Sequence, residues 1–201
     1  MLLKYPVVAL KLGVNMTYTL KDLVKVYSEL SKRGVKAVVI GDTVVQVFLE
    51  YKKLDGDVDL FVLEPSPLVE REFYENLARE LEWGVSSTEI GTPALIVPLE
   101  KGHLVVELYE NYMDIEIPVE IIESSGEIRV HGEKITLIKP EQYLVLKARQ
   151  GVDINKLKKY ISELKSRGVL NKKLVEQVLS LYPQSEQRVI IERLEEAGLK
   201  L

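Results

Sequence analysis

In Asp57-Val58-Asp59-Leu60-Phe61-Val62-Leu63 two carboxylates alternate with apolar residues. In an extended strand this spacing points both acids to one face, with Cα atoms about 6 to 7 Å apart. Carboxylates so placed suit a shared hard cation such as Mg2+ (or Mn2+). Paired metals roughly 3.5 to 4 Å apart stabilise the attacking and leaving oxygens when a phosphoryl group leaves a nucleoside triphosphate. A third acid is normally wanted. The segment Asp114-Ile115-Glu116-Ile117-Pro118-Val119-Glu120 alternates in the same way, so Asp114, Glu116 and Glu120 share a face. Position favours Asp114 or Glu116. Such alternation is also what any half-exposed strand shows, and Pro118 points to a sheet edge.

Upstream, Gly41 stands between an apolar strand and a short helix, where backbone amides face an anion at the helix N-terminus. The turn Gly41-Asp42-Thr43 is therefore a candidate nucleotide-binding element. Asp42 adds a negative charge there that repels phosphate unless a metal or a lysine intervenes. The order strand, glycine turn, short helix, Asp-x-Asp strand places turn and acids at the same edge of a sheet.

The elements that must position these residues read as follows. Leu20, Leu23, Val24, Tyr27 and Leu30 recur at helical spacing after Thr19, and Gly34 ends the helix. Residues 35–40 predict a strand, 43–51 a helix, 57–63 a strand, and 68–83 a helix started by Ser66-Pro67 and stopped by Gly84. Strands are expected at 94–99, 104–109, 115–122, 128–130 and 134–138, the last two around His131-Gly132. From Pro140 onward helices are expected near Pro140, Asp153, Asn171 and Ser185, with Gly151, Gly168 and Gly198 at helix ends. The fold class is α+β, with an αβ domain over 1–139 and a helical subdomain over 140–201.

Composition narrows the function classes. The 201 residues are 46% hydrophobic and 29% charged, enough for a packed core. A net charge of −4 excludes a polycation that coats nucleic acid indiscriminately. The absence of cysteine excludes disulfides, thiolate metal sites and a cysteine nucleophile, and fits a cytoplasmic protein. Lys4, Pro6 and Lys11 break the apolar start before the ~18 residues that a membrane span needs. No Gly-x-Ser-x-Gly, Gly-x-Gly-x-x-Gly or P-loop motif occurs. His103 and His131 read as surface turn histidines, and Trp83 as a packing residue. Residues 147–173 hold nine Lys or Arg against two acids, leaving the αβ half acidic. Those basic helices could take an RNA acceptor, although lysine-rich helices are usually solvated faces. Abundant Lys and Glu without Cys also fits a thermostable protein.

Ile40-Gly41-Asp42, then Asp57-Val58-Asp59-Leu60-Phe61 and Asp114-Ile115-Glu116-Ile117, resembles the nucleotidyltransferase superfamily of the DNA polymerase β type, especially its small prokaryotic and archaeal members. Residues 137–149, from Leu137-Ile138-Lys139-Pro140 to Ala148-Arg149, with Asp153 and Lys156-Leu157 beyond, are similar to the segment after the catalytic sheet in AbiEii-toxin-type nucleotidyltransferase proteins. The resemblance spans roughly residues 20–165. It implies a mixed sheet with flanking helices and a Mg2+-dependent transfer of a nucleoside monophosphate from an NTP, such as ATP, to a hydroxyl on RNA or tRNA, protein or a small molecule. Asp57 and Asp59 match the family's metal-binding acids. Asp114 matches its third carboxylate, Gly41 the first residue of its triphosphate turn, and Lys147 its helix lysine. The sequence departs at Asp42, where the family has a small residue, and at Asp55-Gly56, where a Ser or Thr commonly precedes the acids. These departures keep a second reading open, a nucleotidyltransferase fold that binds nucleotide or a partner without turnover. The resemblance also implies a possible antitoxin-like protein partner.

Overall fold

The computed structural model describes residues 17–113, 115–130 and 132–201, so Asp114 and His131 lie outside the described residues. The described residues begin with β1 (Thr17–Tyr18) and α1 (Leu20–Lys32). A reciprocal capping box starts α1: the Asp22 carboxylate accepts from the Thr19 amide at 2.9 Å, and the Thr19 hydroxyl accepts from the Asp22 amide at 3.2 Å. Next come β2 (Lys36–Ile40), α2 (Thr43–Phe48), β3 (Leu54–Asp55), β4 (Val58–Glu64), α3 (Arg71–Glu80), β5 (Gly84–Ser87), β6 (Pro93–Pro98) and β7 (His103–Tyr109). Then follow α4 (Val119–Glu123), β8 (Gly126–Val130) and β9 (Glu133–Leu137), and four helices close the chain: α5 (Pro140–Gln150), α6 (Ile154–Ser166), α7 (Lys172–Leu179) and α8 (Gln184–Glu196).

Among the described residues seven strands form one mixed sheet in the order β5-β6-β7-β4-β2-β9-β8, while β1 and β3 pair separately. β4 runs antiparallel to β2 and parallel to β7, and β9 runs parallel to β2. The central strands are rich in Val, Ile and Leu, as strands covered on both faces must be. Helix α5 packs against α2, α6, α7 and α8. Leu144, Val145 and Ala148 of α5 are fully buried, as are Leu95, Leu104 and Leu108 in the sheet. Among the described residues no helix is long and apolar enough to cross a membrane.

The strand expected at 115–122 is not formed. Only a single bridge joins Tyr112 to Ile115, and the chain then turns into α4. The Asn111 side chain holds the turn in both directions, accepting from the Ile117 amide at 2.8 Å and donating to its carbonyl at 3.0 Å. Pro118 sits at the N-cap of α4, so the residue read as an edge-strand marker is a helix start. The helix expected over 68–83 is shorter, because the Ser66 hydroxyl accepts from the Val69 amide and organises a turn before Arg71. After α3, Gly84–Ser87 pairs antiparallel with β6 as a strand that its weakly apolar sequence does not announce.

Helix α5 ends at Gly151, whose φ of +71° favours glycine. Arg193 of α8 donates to the carbonyls of Ala148 and Arg149 at 2.9 and 2.7 Å, satisfying acceptors that a helix terminus leaves open. A Cβ on Gly151 would lie 2.4 Å from the Arg193 guanidinium carbon. Gly151→Ala should therefore lower unfolding free energy by about 1 to 3 kcal/mol, combining left-handed strain with loss of the Arg193 anchor. Urea denaturation checks this, and an unchanged midpoint would rule it out.

Candidate active site

The register of the three central strands builds the site. Asp59 on β4 pairs with Ile40 on β2 and, on the other side, with Glu107 on β7. Residues directly opposite on paired strands project from the same face, about 5 Å apart. Asp59 and Glu107 are therefore neighbours on one face, and Gly41 follows Ile40 at the same edge. The fit around Gly41 is tight: at φ +72°, a Cβ there would stand 1.9 Å from Asp59 Oδ2. The glycine is required because the Asp59 carboxylate occupies the space a side chain would take.

Asp57 lies two residues before Asp59 and is half-buried. Gln46, fully buried on α2, accepts from the Asp55 amide at 2.8 Å and donates to the Asp55 carbonyl at 3.0 Å, clamping the turn that leads into the acids. The Thr43 hydroxyl contacts the Asp57 carbonyl at 3.4 Å and the Tyr18 hydroxyl at 2.8 Å. Thr43 thus positions the Asp57 backbone. The Tyr109 hydroxyl donates to Glu107 Oε2 at 2.5 Å and orients that carboxylate.

Electrostatics bind the three acids into a unit. Burial, together with the charges of Glu107, Asp42 and Asp57, holds Asp59 well above the usual carboxylate range, and Lys147 opposes this. Burial raises Asp57 as well, with Asp42 adding to the shift and Lys156 and His103 countering it. Glu107 is raised mainly by burial, against the hydrogen bond from Tyr109. Like charges crowded in a low-dielectric site attract a cation.

Asp42 is buried, and its carboxylate lies 2.9 Å from Lys156 Nζ and accepts from the Tyr160 hydroxyl at 3.2 Å, both on α6. The negative charge that would oppose a phosphate at this turn is therefore matched by a lysine from the helical half. Lys156 is itself oriented at the start of α6, where the Asp153 side chain accepts from its amide.

Gly41, Asp42 and Asp59 line a cleft of about 270 Å³ together with Lys147, Tyr143 and Lys156. Glu116 also lines it, but its carboxylate is 73% exposed and pairs with Arg149 at 3.1 Å. The structure thus brings Gly41, Asp42, Asp59 and Lys147 together with Asp57 adjacent, places Glu116 at the rim on an arginine, and leaves Asp114 outside the described residues. Sequence reasoning missed Glu107 and the pairing of Lys156 with Asp42. The available signal for Glu107 was an acid inside the apolar strand His103–Tyr109, in phase with Val105 and Tyr109.

Among the described residues no three acid or histidine side chains form a ready-made metal cage. The donor set nevertheless fits Mg2+, which is usually held by one or two carboxylates and completed by water and substrate phosphates. Asp57, Asp59 and Glu107 supply hard oxygen donors, and Lys147 and Lys156 line the cleft beside Asp59.

The family described as nucleotidyl transferase of unknown function (DUF2204) matches residues 19–196. The chain belongs to this nucleotidyl transferase family. Its mixed sheet and flanking helices are those of nucleotidyltransferase folds. The crystal structure of an antigenic nucleotidyltransferase-like protein from Paracoccidioides brasiliensis is similar at a TM-score of 0.57 and 13% identity, over 91% of each chain. ANT(2")-Ia, solved in complex with adenylyl-2"-tobramycin, is similar at a TM-score of 0.53 and 15% identity, over 86% of this chain and 97% of that one. No curated protein matches the chain. The superfamily resemblance is thereby established for this nucleotidyl transferase, while the likeness to AbiEii-type proteins gains no support from these matches.

Proposed function

We propose that this nucleotidyl transferase moves a nucleoside monophosphate from an NTP to an acceptor hydroxyl, with Asp57, Asp59 and Glu107 as its acidic centre. The observation that carries this reading is the row Ile40, Asp59, Glu107 across three strands, with Gly41 shaped to the Asp59 carboxylate. In the reaction the acceptor oxygen forms a bond to the α-phosphorus, the bond from that phosphorus to the pyrophosphate oxygen breaks, and the hydroxyl proton passes to a carboxylate. Glu107 is suited to take that proton, because its environment favours the protonated form. The cleft lined by Gly41 would take the triphosphate, Lys147 on its wall attracts it, and Lys156 offsets the Asp42 charge that would repel it. When bound, Mg2+ would supply charge neutralisation at the α-phosphate, held by Asp57 and Asp59.

Mg2+-dependent turnover of the four NTPs, read as pyrophosphate release and acceptor labelling, tests the reading. Wild type should release pyrophosphate, and Asp57→Asn should not. Glu107→Gln should lower kcat by about 10² to 10⁴-fold, the usual contribution of a general base, with nucleotide affinity little changed. Saturable NTP binding without pyrophosphate release would favour a binding protein without turnover.

A further inference from the structure

A second, larger groove of about 600 Å³ lies apart from the nucleotide cleft. Its walls carry Lys21 and Lys25 of α1, Lys53 before β3, Lys101 in the β6–β7 turn, and Trp83. Lys21 and Lys25, four residues apart, share one helix face. All four lysines are exposed, and among the described residues none has an acidic partner. Of the two acids in the groove, Asp22 is engaged in the α1 capping box and Glu100 sits in the turn. The groove therefore offers a surplus of uncommitted positive charge beside one indole.

The basic helices differ in this respect. Lys156 is bound to Asp42, Lys159 lies over the Tyr51 ring at 5.5 Å, and Arg167 donates to the Leu49 carbonyl at 2.7 Å. Lys165 and Lys172 donate to the carbonyls of Gly198 and Lys200. Much of that charge is used to hold the helices together.

Two sets of contacts place the groove close to the acids. Tyr18, on its floor, bonds Thr43, which contacts the Asp57 carbonyl. At the other wall Pro98 pairs with His103, which lies within electrostatic reach of Asp57.

We propose that this groove binds a single-stranded RNA acceptor, with Lys21, Lys25, Lys53 and Lys101 on its phosphates, Trp83 stacked on a base, and its terminal hydroxyl directed toward Asp57. Lysines tracking a backbone beside an aromatic platform are the pattern of single-strand recognition. The orientation toward Asp57 rests on the nucleotidyl-transfer reading, whereas RNA binding by the groove does not.

Trp83 is the only tryptophan of the chain, so its emission reports occupancy directly. A 12-nucleotide oligouridylate titrated into the full chain should quench it. Affinity should fall with salt at a logarithmic slope of about −3, four contacts at roughly −0.7 each. Lys21→Glu/Lys25→Glu should weaken binding at least tenfold and flatten the slope, while mant-ATP binding and the melting temperature stay unchanged. Lys53→Glu/Lys101→Glu is an independent second variant with the same expectation. Lys158→Glu/Lys173→Glu, on the basic helices, should bind RNA as wild type does. Absence of quenching, loss of binding only in the basic-helix variant, or polyglutamate binding at these lysines without RNA binding would each overturn the proposal. RNA binding through the groove without pyrophosphate release would sustain it and sink the transfer reading. Turnover that ignores RNA would do the reverse.

Discussion

Asp59→Asn is expected to abolish nucleotidyl transfer and, at the same time, to raise the thermal midpoint. The acid sits between Gly41 and Glu107 with Asp42 and Asp57 nearby, and burial already disfavours its charge. Without ligand the folded chain at neutral pH must hold a desolvated carboxylate among like charges or take up a proton to avoid it, whereas the unfolded chain leaves the acid ionised and hydrated, so the raised pKa costs stability in both cases. An amide of the same shape removes that repulsion. A gain of about 0.5 to 2 kcal/mol is expected, the usual size of a single stabilising substitution. For a chain of this size that amounts to roughly 2 to 4 °C per kcal/mol. Activity should fall on the order of 10³-fold or more, since both charge stabilisation and alignment at the phosphate are lost. Scanning calorimetry beside pyrophosphate release reads both effects. A variant less stable than wild type would show that Asp59 is held by favourable contacts, and the account of a strained acidic centre would be wrong.

Gly41→Ala should lose nearly as much activity for a different reason. The new methyl would overlap Asp59 Oδ2 at 1.9 Å, and the backbone is at a positive φ. Asp59 is flanked by Glu107, so it has little room to move aside. Displacing a reacting group by about 1 Å costs on the order of 10²-fold in rate, and the left-handed conformation adds roughly 1 to 2 kcal/mol of destabilisation. Gly34→Ala provides the control: its φ is +87°, but nothing lies within 4 Å of the position a Cβ would take. It should show the same conformational cost with full activity. Equal activity loss in both variants would mean that strain, and not contact with Asp59, is responsible.

Local pattern determined a good deal about this protein. The period-two acids Asp57 and Asp59, the glycine turn before α2, most of the strands and the four closing helices follow from residue spacing and caps, which act within a few residues. The same local rules misread residues 115–122, because the Asn111 side chain and Pro118 convert an alternating pattern into a turn and helix. What only the tertiary structure decided is which distant groups meet. Glu107 lies 48 positions beyond Asp59 and becomes its neighbour solely through the parallel register of β4 and β7. Asp42 reads as a repulsive charge until α6 packs Lys156 and Tyr160 against it. Periodicity shows the face on which a side chain lies, but strand order and helix docking choose its partners, and the chemistry of a carboxylate depends on those partners.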